Sequence, residues 1–139
     1  MSRHAYECHV RFSDVDVYGH VNNVKYFEYY QEARIAFALS MAGGVFEPES
    51  QMRQVVARIE VGYKLPILFR PEPYVVETWV TRLGTSSYDL SSRIVDPAEG
   101  EDTVYSDAEI RLVAFDSGTQ RSRPLSDTER RRLESVLET

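Results

Sequence analysis

The strongest pattern along the chain is a change of period. Over residues 24–42 the spacing is helical. At about 100° per residue, Lys25, Glu28, Gln31, Glu32 and Ser40 gather on a polar side. Tyr26, Phe27, Tyr30, Ala33, Phe37 and Met41 make a wide apolar face. A helix apolar over most of its girth is largely buried. Asn22 or Asn23 is placed to cap its start, a side-chain oxygen accepting an orphan backbone N–H. Gly43-Gly44 permits the left-handed exit that ends it.

Elsewhere the period is two. Residues 6–12 read as a short strand. Residues 55–63 alternate, with Ala57, Ile59, Val61 and Tyr63 on one face and Arg58 and Glu60 on the other. Segments 74–83, 86–95 and 103–115 repeat the alternation, and 84–85 and 96–100 supply the turns. Ser126 and Glu129 form a capping-box pair that opens a short helix over 126–138. Consecutive strands joined by short turns make an antiparallel sheet. One apolar helix needs that sheet as its cover, so the chain is expected to be α+β, with the helix on one face of the sheet.

Composition narrows the picture. The 139 residues show no repeat and no low-complexity boundary, which suits one domain over 1–139. The formal net charge of −6 argues against general binding to nucleic acid or an anionic membrane, since both need a basic face. A local basic pocket remains compatible with it. Cys8 is the single cysteine, so an internal disulfide is excluded and a reducing compartment is expected. No apolar run approaches the roughly 20 residues of a membrane span, and residues 1–6 lack a signal-peptide core. A cytoplasmic protein without membrane contact follows. His4 and His9 flank Cys8, yet a metal site needs more ligands at defined spacing, so neither metal nor cofactor is expected. The run Arg130-Arg131-Arg132 reads as a solvated helix face. Neither a glycine-rich phosphate loop nor a G-x-S-x-G nucleophile motif occurs.

The chemistry concentrates in residues 14–26. Asp14, Asp16, His20, Asn22 and Asn23 fall within ten residues, just ahead of the buried helix. Polar groups at the edge of a core are costly unless they have partners or a task. A helix start offers free N–H groups and a partial positive charge. Such a place polarises a carbonyl and stabilises an oxyanion, with a nearby carboxylate as base or nucleophile. The plainer reading stands beside it: two turn aspartates and two capping asparagines.

The run D-x-D-x-x-G-H-V-N-N-x-x-Y, continuing through Tyr29-Tyr30 and Ala33-Arg34, resembles the 4-hydroxybenzoyl-CoA thioesterase family. It is also similar to the acyl-carrier-protein thioesterases, which share H-V-N-N. The resemblance implies the hotdog fold, a long helix wrapped by a curved antiparallel sheet. It further implies a homodimer, often paired into a homotetramer, with active sites at the dimer interface. It places the catalytic carboxylate on Asp16, and the N–H that polarises the thioester carbonyl at or beside Asn23. His20 stands where many relatives carry a histidine. Some relatives carry a basic cluster after the strand that here ends Thr81-Arg82-Leu83; this chain has Gly84-Thr85-Ser86-Ser87 instead. Arg82 and Ser87 remain to grip a substrate on CoA or on acyl-carrier protein. Tyr26 and Tyr30 are candidates for lining an acyl pocket.

Three functions compete: a thioesterase, a non-catalytic acyl-CoA-binding hotdog module, and a hotdog dehydratase or hydratase. Three structural expectations accompany them. Apolar residues on both faces of 74–83 call for a second copy. Arg34, inside the apolar face of the helix, pairs with an acid of the 14–16 turn, Asp14 first. Gly19 adopts positive φ where the chain reverses.

Overall fold

A computed structural model describes residues 3–44, 54–100 and 103–138. In chain order the elements are β1 (His4–Cys8), a 3₁₀ turn (Phe12–Asp14), α1 (Lys25–Met41), β2 (Gln54–Tyr63), β3 (Tyr74–Leu83), β4 (Ser87–Val95), β5 (Val104–Asp116), β6 (Arg121–Ser122) and α2 (Asp127–Ser135). The described strands form one antiparallel sheet in the order β1-β3-β4-β5-β2, with β6 paired to the end of β5. Side chains alternate across each strand. Val76, Thr78 and Val80 on β3, Leu90 and Ile94 on β4, and Ala108, Ile110 and Leu112 on β5 therefore point to one buried face. Tyr26, Tyr29, Tyr30, Ala33 and Phe37 of α1 pack into it. Each such fully buried aliphatic chain contributes about 1.5–3 kcal/mol. This is the α+β hotdog arrangement expected from the sequence.

Several details depart from the sequence reading, each for a local reason. β1 runs His4–Cys8 rather than 6–12 because the Asp14 carboxylate takes the Arg11 N–H at 3.0 Å and turns the chain. Phe12 is thereby thrown outward. Phe27 is 40% exposed, and Tyr29 takes the buried position. The register shifts between Val56 and Arg58, so Ala57 drops out of the alternating face. β6 is two residues long and carries no apolar period that would announce it. Val24 is the N-cap of α1, in helical conformation and without a side-chain cap. Asn22 does satisfy an orphan donor, its Oδ1 accepting the Val24 N–H at 2.9 Å. Gly43 and Gly44 take φ of 71° and 83° as the exit requires, and the Ser126–Glu129 capping box closes in both directions.

The arginine run is not simply solvated. Arg130 donates to the Gly84 and Thr85 carbonyls at 2.8 and 3.3 Å, tying α2 to the β3–β4 hairpin. The outer apolar positions of β3 are partly covered from within, since the Arg3 guanidinium lies 3.6 Å over the Trp79 ring. Less well covered is β2. Among the described residues it pairs only with β5, and Val55, Val56 and Tyr63 are all exposed. Among the described residues no helix is long and apolar enough to cross a membrane.

Candidate active site

The chain ahead of α1 folds into a miniature hairpin. The Asn22 N–H donates to the Asp14 carbonyl at 2.8 Å and the Asp16 N–H to the His20 carbonyl at 3.0 Å, with Val15 and Val21 bridged between them. Gly19 closes the tip with φ of 81°, and its N–H donates to the Asp16 carbonyl at 3.1 Å. That φ costs other residues roughly 1–2 kcal/mol. The hairpin docks onto the loop after β2, where Val21 N–H reaches the Ile67 carbonyl at 2.9 Å and His20 bridges Leu68.

The two aspartates of this hairpin have different surroundings. Asp14 is buried and accepts from the Tyr29 hydroxyl at 2.6 Å, from the Arg11 N–H at 3.0 Å and from Arg11 Nη2 at 3.1 Å. Burial pushes its pKa up, but the Tyr29 and Arg11 bonds outweigh burial and hold it below its ordinary value. Asp16 is partly exposed, and one carboxylate oxygen accepts the Tyr18 N–H at 2.9 Å. Its neighbours Val17 and Tyr18 are almost wholly in solvent.

The start of α1 supplies a free donor. The Asn22 carbonyl accepts the Lys25 N–H at 2.9 Å, so it points into the helix. In a planar trans peptide the N–H points the opposite way. The Asn23 N–H therefore faces out of the helix end, and among the described residues nothing accepts it. The next peptide is held at both ends: Asn22 Oδ1 takes its N–H at 2.9 Å, and the Tyr63 hydroxyl donates to its carbonyl at 2.9 Å.

The structure thus gathers Asp16, His20, Asn23 and Tyr26 at one end of the sheet. His20 is exposed; Tyr26 is buried with its ring edge-on to Tyr63, centroids 4.8 Å apart. Tyr30 sits deeper, fully buried, donating to Ser106 Oγ at 2.7 Å. Arg82 and Ser87 lie at the other end. Arg82 is eight residues along β3 from Tyr74, about 26 Å by strand rise. The two bond to each other at 2.7 Å, and Arg82 also pairs with Asp89 at 2.9 Å.

The pairing expected of Arg34 is corrected. Asp14 is occupied by Tyr29 and Arg11 instead. Arg34 is half-buried and makes no hydrogen bond or ion pair with the described residues; burial lowers its pKa, with the Tyr88 phenol acting the other way. Cys8 is buried beside Asp14, which together push its thiol up to about 12 and remove it as a nucleophile. Among the described residues no three of His, Cys, Asp or Glu converge to hold a metal. Tyr29, Tyr63 and Arg11 were missed by sequence reasoning. The one available signal was the polar hydroxyls carried by Tyr29, on a helix read as buried, and by Tyr63, at the end of an alternating strand.

Residues 10–133 match the model of the thioesterase-like superfamily. The chain is 30% identical, over 92% of its length and 95% of the other's, to the long-chain acyl-CoA thioesterase FadM of Escherichia coli. A thioesterase from Thermus thermophilus, solved with coenzyme A and zinc, superposes with a TM-score of 0.78 at 30% identity, covering 94% of this chain and 92% of that one. A thioesterase-superfamily protein from a Jannaschia species shares the fold, with a TM-score of 0.85 at 21% identity and coverage of 99% and 95%.

Proposed function

Because the chain belongs to the thioesterase-like superfamily, and with it is a thioesterase, we propose that it hydrolyses acyl-CoA thioesters with Asp16 as the catalytic carboxylate and the Asn23 N–H as the oxyanion donor. The observation that carries this reading is a partly exposed carboxylate on a short hairpin and, where that hairpin runs into α1, an N–H that nothing among the described residues accepts. The thioester carbonyl oxygen lies on the Asn23 N–H, favoured by the positive end of the α1 dipole. Asp16 takes a proton from water as the water oxygen attacks the carbonyl carbon. The resulting oxyanion is held by the N–H. Its collapse breaks the C–S bond, and the proton passes to the departing thiolate, leaving free acid and free CoA. Direct attack by Asp16, giving an acyl-enzyme anhydride that water then hydrolyses, uses the same two groups. His20, exposed across the hairpin from Asp16, completes the polar set of the site in this reading.

Coenzyme A is the carrier favoured by the coenzyme in the Thermus structure and by the FadM name. We further infer a homodimer formed through the free edge of β2. Val55, Val56 and Leu65 leave exposed apolar side chains on β2 and just after it, and Val24 and Phe27 at the start of α1 are exposed as well. An isologous antiparallel pairing sets the Gln54 end of one β2 against the Tyr63 end of the other. The partner copy's β3–β4 hairpin then stands at the same end of the joined sheet as Asp16. About three strand spacings, roughly 14 Å, separate it from β2. Arg82 and Ser87, remote within one chain, become candidates to hold the phosphates of CoA bound across the interface. Tyr26 lines the near wall of the acyl pocket, and Tyr30 backs it.

The test is thiol release from a panel of acyl-CoAs by wild-type protein and by Asp16→Asn. Hydrolysis by the first and not the second is expected. Binding of acyl-CoA by both without hydrolysis would replace the enzyme with an acyl-CoA-binding module.

A further inference from the structure

Three consecutive peptide planes lead into α1, and the middle one carries the donor. Asn22 N–H is fixed to Asp14, the Asn22 carbonyl to the Lys25 N–H, and the Val24 N–H to Asn22 Oδ1. All of these bonds lie within the hairpin and the first turn of the helix. The Asn23 carbonyl is held from elsewhere, by the hydroxyl of Tyr63, forty residues on at the end of β2. With planar peptides, the direction of the Asn23 N–H depends on the two dihedrals of Asn23 and its neighbour. Pinning the carbonyl of the next plane removes the freedom that the local bonds leave. Tyr63 is 47% exposed in the single chain, and its ring packs edge-on against Tyr26.

We propose that Tyr63 is a positioning residue of the thioesterase site: by holding the Asn23 carbonyl it fixes the direction of the Asn23 N–H toward the thioester oxygen. This rests on the reading of Asn23 as the oxyanion donor. The cause is geometric, since displacements near 1 Å at a reacting centre cost up to about a hundredfold in rate.

Tyr63→Phe keeps the ring on Tyr26 and deletes only the hydroxyl. Steady-state kinetics on the best acyl-CoA should show kcat down about tenfold, with KM within a factor of two. Melting temperature and oligomeric state at assay concentration should be unchanged. Amide exchange at Val24, in the plane that Tyr63 holds, should quicken several-fold while the rest of α1 is unaffected. A retained kcat overturns the proposal. So does a rise in KM alone, which would make Tyr63 a substrate contact, or a loss of activity that follows dissociation, which would make it an interface residue. If wild-type protein hydrolyses no acyl-CoA, the thioesterase reading fails, and the Val24 exchange rate alone decides whether the clamp exists.

Discussion

Asp14 and Asp16 are the same residue two positions apart on one hairpin, and their surroundings differ in a way that, under the proposed reading, gives them opposite duties. Asp14 is 1% exposed and satisfied by three donors from two elements. A carboxylate this well paired is held in its charged form and has little capacity to take a proton. Among the described residues Asp16 keeps a single backbone donor, and it is partly exposed. It is free to meet water and an acyl group. The lesson is that in a D-x-D pair direction along the strand does not assign roles. What assigns them is which carboxylate the rest of the fold has already bonded.

The sharpest way to break this comparison is to neutralise each acid in turn. Asp16→Asn should lower kcat by roughly 10²–10⁴-fold with little change in KM or melting temperature, as expected for loss of a base or nucleophile. Steady-state kinetics on folded protein checks it. Asp14→Asn should do the reverse, costing about 2–3 kcal/mol of stability through lost charge-assisted bonds at a buried site. At about 3 °C per kcal/mol for a chain of this size, the melting temperature should fall by roughly 6–9 °C. Should kcat collapse in Asp14→Asn and persist in Asp16→Asn, the two roles are exchanged.

Tyr29→Phe sharpens the same contrast from the helix side. It removes the shortest bond to Asp14 and should cost less than the aspartate change, about 1.5 kcal/mol. Its signature lies in acid. Asp14 has a folded pKa below its unfolded value, so its stabilisation is present above the unfolded value and lost as pH falls through the folded one. Without Tyr29 the folded pKa rises toward the ordinary range. The acid-unfolding midpoint followed by circular dichroism should therefore move to higher pH than in wild type. A midpoint that stays in place would mean that Arg11 alone supports Asp14.

Much of this was legible beforehand. The long helix, four of the strands, the terminal capping box and the Gly19 turn follow from periodicity and turn chemistry, which act over a few residues. The motif around residues 14–26 pointed to the proposed site through its resemblance to a family run. Long-range choices were not legible. Tyr29 or Phe27 could each fill the buried face of α1, and only the presence of Asp14 in space selects Tyr29. The hold of Tyr63 on Asn23 joins residues forty apart, and nothing in either segment announces it. Arg82 and Ser87, two separate candidates in the sequence, bond to each other in space, and their distance from Asp16 depends on the length of β3.

Arg34 gives the smallest expected effect and the clearest test of the corrected pairing. Helical spacing alone puts this guanidinium near the apolar face, and a buried cation calls for an acid. Asp14, however, is already saturated by Tyr29 and Arg11, and what acts against burial on the pKa of Arg34 is the phenol of Tyr88. Burial without a counter-charge makes the charge a cost, offset only by packing of its methylene stem. Arg34→Met keeps the stem and removes the charge. Were Arg34 the partner of Asp14, the change would strand a buried carboxylate and cost about 3–5 kcal/mol. With Asp14 held by other donors, the melting temperature should stay within about 3 °C of wild type, equivalent to 1 kcal/mol, or rise, and kcat should be unaltered. Thermal denaturation and kinetics of this one variant separate the two arrangements, because a large loss of stability would return Arg34 to the aspartate hairpin.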